Sequence, residues 1–93
     1  MGMPRVPSDA AAHVGRQIHS NRLHKALTQD ELAAASGIDS SNVRAYESGR
    51  AMPSIHTLLR LAVALNIEPA ELLDGLTLEM FANAENDGRR RGV

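Results

Sequence analysis

LTQDELAAASGIDSSNVRAYESGR, residues Leu27–Arg50, is the stretch whose reading decides the fold. Thr28 stands in front of an apolar-periodic segment, and Glu31 is the third residue after it. That spacing makes a capping box: the hydroxyl accepts from the Glu31 backbone, and the carboxylate reaches back to Thr28. Leu27 and Leu32 flank the cap at the spacing of a hydrophobic staple, which sets the angle at which the chain enters the helix. The arrangement repeats at Asp39, a good N-cap residue, with Ile38 and Val43 at staple spacing around it. Gly37 supplies the positive φ that ends the first helix, and Gly49 is expected to end the second. A helix of about seven residues, a tight turn at Ser36-Gly37-Ile38 and a second short helix follow the helix-turn-helix plan.

Working outward, Ser8 or Asp9 can cap a preceding helix running to about Lys25, with Val14, Ile18 and Leu23 inward and Gly15 permitting a close helix crossing. Helices two and three are expected at about Gln29–Ala35 and Ser40–Ser48. After them, GRAMPS is a loop, because Pro53 disfavours helix at Met52. Ser54 can cap a fourth helix over Ile55–Leu65, whose predicted stripe is Ile55, Leu58, Leu59, Ala62 and Leu65. Asn66 can end it in the left-handed conformation. Pro69 opens a short fifth helix reaching Gly75, with Ile67 and Leu72 as a third staple pair. Leu76, Leu78, Met80 and Phe81 fit one or two further helical turns.

The composition agrees with helices packed on helices. Apolar residues are 43% of the 93, yet Phe and Tyr occur once each and Trp not at all, so the core must be aliphatic. No β-branched run alternates with polar residues as a strand would. The absence of cysteine excludes disulfide staples and Cys-type zinc sites. There is no apolar run of membrane-spanning length, and MGMPRVPSDA lacks the layout of a signal peptide, so a cytoplasmic protein is expected. Residues 1–8 read as a disordered arm, 9–75 as the helix-turn-helix domain, and 76–93 as an extension ending in the basic Arg89-Arg90-Arg91 tail.

Net charge is −1, from ten Lys/Arg against eleven Asp/Glu, which is not the basic excess that phosphate contact usually leaves. Distribution qualifies the sum. Glu31 and Asp39 are assigned to capping, and the acids Glu68, Glu71, Asp74, Glu79, Glu85 and Asp87 all come late. A weakly basic face opposed by an acidic one is the expectation.

In joint order and spacing these residues resemble the lambda-repressor-like, Cro-type helix-turn-helix (XRE-family) regulators of bacteria and phages. The resemblance runs from about Val14 to Leu73. It rests on Gly15, Ile18 and Arg22; on Thr28-Gln29-Asp30-Glu31-Leu32-Ala33; on Gly37; on Glu47-Ser48-Gly49-Arg50 with Pro53; and on Ala64-Leu65-Asn66-Ile67 leading to Leu72-Leu73. It implies an all-α, five-helix domain that binds double-stranded DNA and regulates transcription. Arg22 and Glu47 match the pair joining helix one to the end of helix three, and a carboxylate on that inward side needs a partner. Gln29 matches the position whose side chain and N–H meet a phosphate, as a helix N-terminus favours. Arg50 with Ser48 matches the phosphate-contacting loop.

With Val43, Tyr46 and Glu47 facing the core, helical rotation puts Ser41, Arg44, Ala45 and Ser48 outward, and Ser40 at the exposed tip. Ser40, Ser41, Arg44 and Ala45 are therefore the expected base-contacting set, with Arg44 as the long donor suited to guanine. Arg22, Gln29, Asn42, Ser48 and Arg50 form the backbone-contacting set. The small Ser and Ala side chains thin direct readout and leave more to DNA shape.

His13, His19, His24 and His56 do not make a metal site, because the first three lack the i, i+3 or i, i+4 spacing of ligands on a helix. No cofactor, catalytic motif or metal cluster is expected, so the chain is not an enzyme. Leu76, Leu78, Met80 and Phe81 serve either to cover the base of the domain or to join a homodimer on a palindromic operator. Phage-type repressor, restriction-modification controller and antitoxin with a toxin partner all fit. The alternative is a protein–protein module on the same scaffold that no longer binds DNA, motivated by the near-zero charge.

Overall fold

A computed structural model describes residues 8–81, and the expected tail at Arg89-Arg90-Arg91 and most of the N-terminal arm lie outside them. Five α-helices follow in order: α1 (Asp9–His24), α2 (Gln29–Ser36), α3 (Ser40–Glu47), α4 (Ile55–Leu65) and α5 (Pro69–Leu73), then a 3-10 turn at Leu78–Phe81. Among the described residues there is no strand. The all-α expectation holds, and the helix ends agree to within a residue or two.

Local chemistry starts each helix. The Ser8 hydroxyl accepts from the Ala11 N–H, and the Ser54 hydroxyl from the Thr57 N–H. The capping box at Thr28 is complete: Glu31 N–H donates to Thr28 Oγ1 at 3.0 Å, and Thr28 N–H to Glu31 Oε1 at 2.8 Å. Gly37 turns the chain out of α2 at φ 73°, and Asn66 ends α4 at φ 57°. Asp39 departs from its expected role. It precedes α3, but its side chain caps no helix N–H; Oδ2 accepts from the Ser41 hydroxyl at 2.6 Å instead. That nearby hydroxyl outcompetes the backbone for the carboxylate.

The core is the meeting place of all five helices. Ile18, Leu32, Leu61, Leu65, Leu72, Val14 and Val43 are its largest fully buried side chains, and burying each stabilises the fold by about 1.5–3 kcal/mol. α1 packs on α3 and α5, while α4 packs on α2 and α5. Arg60 of α4 secures the turn between α2 and α3, donating from Nε to Ser36 O at 3.0 Å and from Nη2 to Gly37 O at 3.1 Å. His13 of α1 similarly meets Asp74 O at the end of α5, at 2.6 Å.

Two predicted stripes need correction. Leu23 is 56% exposed, not inward. It lies about 140° around the helix from Ile18, whereas Arg22 is only about 40° away and takes the inward place. In α4, Leu61 is buried with Leu58, Ala62 and Leu65, while Ile55 and Leu59 are exposed. Ile55, Leu59 and Val63 form a second apolar row at helical spacing, so periodicity alone could not choose the inward side.

Gly15 sets the α1–α3 distance. A Cβ there would collide with the Tyr46 carbonyl and lie 2.8 Å from Glu47 O, both backbone atoms that cannot swing aside. Gly15→Ala is expected to cost about 1–3 kcal/mol, as overpacking does, in urea unfolding. Unchanged stability would mean the helices part without penalty.

Candidate nucleic-acid interface

α2 and α3 present one continuous edge, and a buried ionic cluster sits behind it. Arg22 reaches from α1 to the last residue of α3, its Nε donating to Glu47 Oε2 at 2.7 Å and its Nη2 to Oε1 at 2.9 Å. Nη1 also donates to Leu27 O at 2.8 Å, which ties in the segment leading to α2. The two side chains are only 8% and 4% exposed. Glu47 Oε1 gathers two further groups, Gln29 Nε2 at 3.0 Å and His19 Nδ1 at 2.9 Å. Three side chains, two from α1 and one from α2, thus converge on the one carboxylate at the end of α3.

The cluster's electrostatics follow from its geometry. Burial alone would raise the Glu47 pKa, but hydrogen bonds from Arg22, His19 and Gln29, with the Arg22 charge, outweigh it and hold the carboxyl below its usual range. The hydrogen bond to Glu47 pushes the Arg22 guanidinium up against the opposing effect of burial. The pair stays ionised at ordinary pH.

In front of this cluster lie the residues singled out from the sequence. Ser41, Asn42, Arg44, Ser48 and Arg50 are exposed, while Ser40 and Ala45 are partly covered. Arg44 Nη2 donates to Asp30 Oδ1 of α2 at 3.1 Å. Arg50 Nε donates to the Ser48 hydroxyl at 3.1 Å, and that hydroxyl donates to Ala45 O at 3.1 Å. Gln29 stands at the start of α2 with its amide on Glu47, at the junction of cluster and edge. Tyr46 packs against the core and does not join the outer edge. The sequence reading missed His19 and the Asp30–Arg44 pairing. Both unite residues distant in the chain, and no local spacing signals them. Among the described residues, no group of His, Asp and Glu is placed to hold a metal ion, and no helix is long and apolar enough to cross a membrane.

A short helix pair joined by a glycine turn, with the second helix exposing a polar edge, defines a helix-turn-helix protein. The family model described as helix-turn-helix matches residues 18–72, more than half of the chain. The chain belongs to this family, as an XRE-type DNA-binding regulator. It is 38% identical over 60 residues to an uncharacterized HTH-type transcriptional regulator, y4dJ, of Sinorhizobium fredii (strain NBRC 101917 / NGR234), covering 64% of this chain and 78% of that protein. Among solved structures it is similar to the restriction-modification controller protein C.AhdI from Aeromonas hydrophila, at 40% identity and a TM-score of 0.65, covering 67% of this chain and 94% of that one. It is also similar to the clp gene regulator ClgR from C. glutamicum, at 27% identity and a TM-score of 0.66, with 74% and 95% covered. Such relatives are regulators rather than enzymes.

Glu47→Gln isolates the cluster's charge. Removing one partner leaves Arg22 buried without a counter-ion, at an expected cost of about 3 kcal/mol at neutral pH. Because the folded Glu47 pKa lies below its unfolded value of about 4.3, its contribution is full above that pH and lost as pH falls through the folded value. The variant's stability should therefore fall less steeply than wild type on acidification below about pH 5, measured by urea unfolding across pH. Parallel acid limbs would refute the linkage.

Proposed function

We propose that the protein binds duplex DNA sequence-specifically, as a homodimer on a palindromic operator, and so regulates transcription in the cytoplasm. The single observation that carries this reading is the division of α2–α3 into two sides. The cluster at Glu47 absorbs the inward polar groups, and Arg44, Ser40 and Ser41 are left outward on a helix held firmly from behind. In this reading α3 enters the major groove tip first. Arg44 contacts guanine, Ser40, Ser41 and Ala45 pack against base edges, and Gln29, Asn42, Ser48 and Arg50 meet phosphates at the flanks. Arg22 acts from the interior through Glu47: its guanidinium is bonded to Glu47 and Leu27 O and its side chain is only 8% exposed, so it positions α3 instead of making the phosphate contact expected from the sequence.

One domain reads a half-site, which motivates the homodimer. The proposed contact is built on Leu76, Leu78, Met80 and Phe81. Leu78 is 82% and Phe81 44% exposed. Leu76 and Phe81 line an apolar groove together with Ile55, Leu58 and Leu73, so the exposed start of α4 extends the same surface. The likeness to a restriction-modification controller supports a regulator of this short form, and phage-type repressor and antitoxin-like roles share the same DNA chemistry.

Selection of bound sites from a random duplex pool supplies the operator for testing. Arg44→Ala should lower operator affinity by about 1–3 kcal/mol and relax preference at one base position. An unchanged footprint would remove Arg44 from base readout. Gln29→Ala should weaken operator and random duplex alike, and affinity for both should fall steeply with salt. A loss confined to one base position would contradict its phosphate role. For the dimer, Leu78→Glu should shift sedimentation toward monomer and weaken operator binding more than random binding; an undisturbed dimer would place the interface elsewhere.

A further inference from the structure

Arg44 does not extend freely into solvent. Its Nη2 is bonded to Asp30 Oδ1 across the gap between α2 and α3, and both side chains are exposed, at 48% and 73%. An ion pair this exposed contributes little to folding. It does occupy a telling place, on the one long cationic donor of the outward face of α3 and one residue from Gln29.

We propose that Asp30 is the positioning residue that makes Arg44 selective. The proposal rests on the reading of Arg44 as the base-contacting residue. Of the five N–H groups of a guanidinium, the bond to Asp30 engages one, so a second edge remains for the O6 and N7 acceptors of guanine. A flexible arginine otherwise loses rotamer freedom when it binds, and holding it from behind reduces that loss. The carboxylate has a second effect. It sits in the first turn of α2, where the helix dipole favours its negative charge, and it offsets the Arg44 charge toward phosphate. Asp30 thereby lowers attraction to arbitrary DNA while favouring the guanine-directed pose. In a chain of net charge −1 whose recognition helix otherwise offers Ser and Ala, this one pair carries much of the discrimination.

Wild type, Asp30→Ala, Asp30→Glu, Arg44→Ala and the double variant Asp30→Ala with Arg44→Ala are titrated against three probes. These are the selected operator, the operator changed at the base position Arg44 reads, and random duplex. Circular dichroism checks that each variant is folded. For Asp30→Ala, discrimination at that position should fall about tenfold while affinity for random duplex rises. Asp30→Glu should recover part of the discrimination. In the Arg44→Ala background, Asp30→Ala should raise affinity for all three probes alike and leave discrimination unchanged. With Arg44 present, a uniform gain on all three probes, with base preference intact, would show a mere charge effect and overturn the positioning role. An equal loss of discrimination with or without Arg44 would overturn it too. If Arg44→Ala itself relaxes no position, the base-reading assignment fails first, and the proposal falls with it by a visibly different result.

Discussion

The salt bridge between Arg22 and Glu47 is the constraint on which the rest depends. Its atoms are 2.7 and 2.9 Å apart, and almost no water reaches either side chain. An isolated charge in that place would be costly, and the pair repays desolvation only because nearly every donor and acceptor is satisfied. Arg22 adds Leu27 O, and Glu47 adds Gln29 and His19. The geometry therefore holds only when α1, the start of α2 and the end of α3 are all in place. Gly15 sets the same contact from the backbone side, since α1 can approach the last turn of α3 only where no Cβ intervenes.

A helix as short as α3 needs such support. α3 spans Ser40–Glu47, too short to be stable by propensity alone, and its Asp39 cap is diverted to Ser41. Its position comes from Val43 in the core at one side and Glu47 at its end. α4 plays the complementary part, with Arg60 closing the turn through Ser36 O and Gly37 O. Rigid placement matters for base readout because a bidentate contact tolerates little displacement.

The electrostatics explain how a chain of net charge −1 can be a DNA-binding regulator. Arg22 and Glu47 neutralise one another inside the protein, and Asp30 offsets Arg44 on its surface. The charges are arranged to hold side chains in place as much as to attract phosphate. In the proposed reading, specificity depends more on placement than on overall attraction, in keeping with an α3 face made of small residues and one arginine.

Much of the architecture was legible in local sequence. Caps at Ser8, Thr28 and Ser54, stops at Gly37 and Asn66, and the core positions Leu32, Val43 and Leu72 all follow from interactions spanning only a few residues, and such interactions are written in spacing. Side choice was harder where apolarity surrounds a helix. Ile55 and Leu59 looked as suitable for the core as Leu61, and only packing against α2 and α5 decided between them. Leu23 gave way to Arg22 because the ion pair, not apolarity, occupies that turn of α1. By itself, then, the sequence determined five short helices and the helix-turn-helix within them. Tertiary structure alone decided that Glu47 gathers His19 and Gln29, and that Asp30 holds Arg44. These contacts join residues 14 to 28 positions apart, and their geometry exists only once the helices have packed.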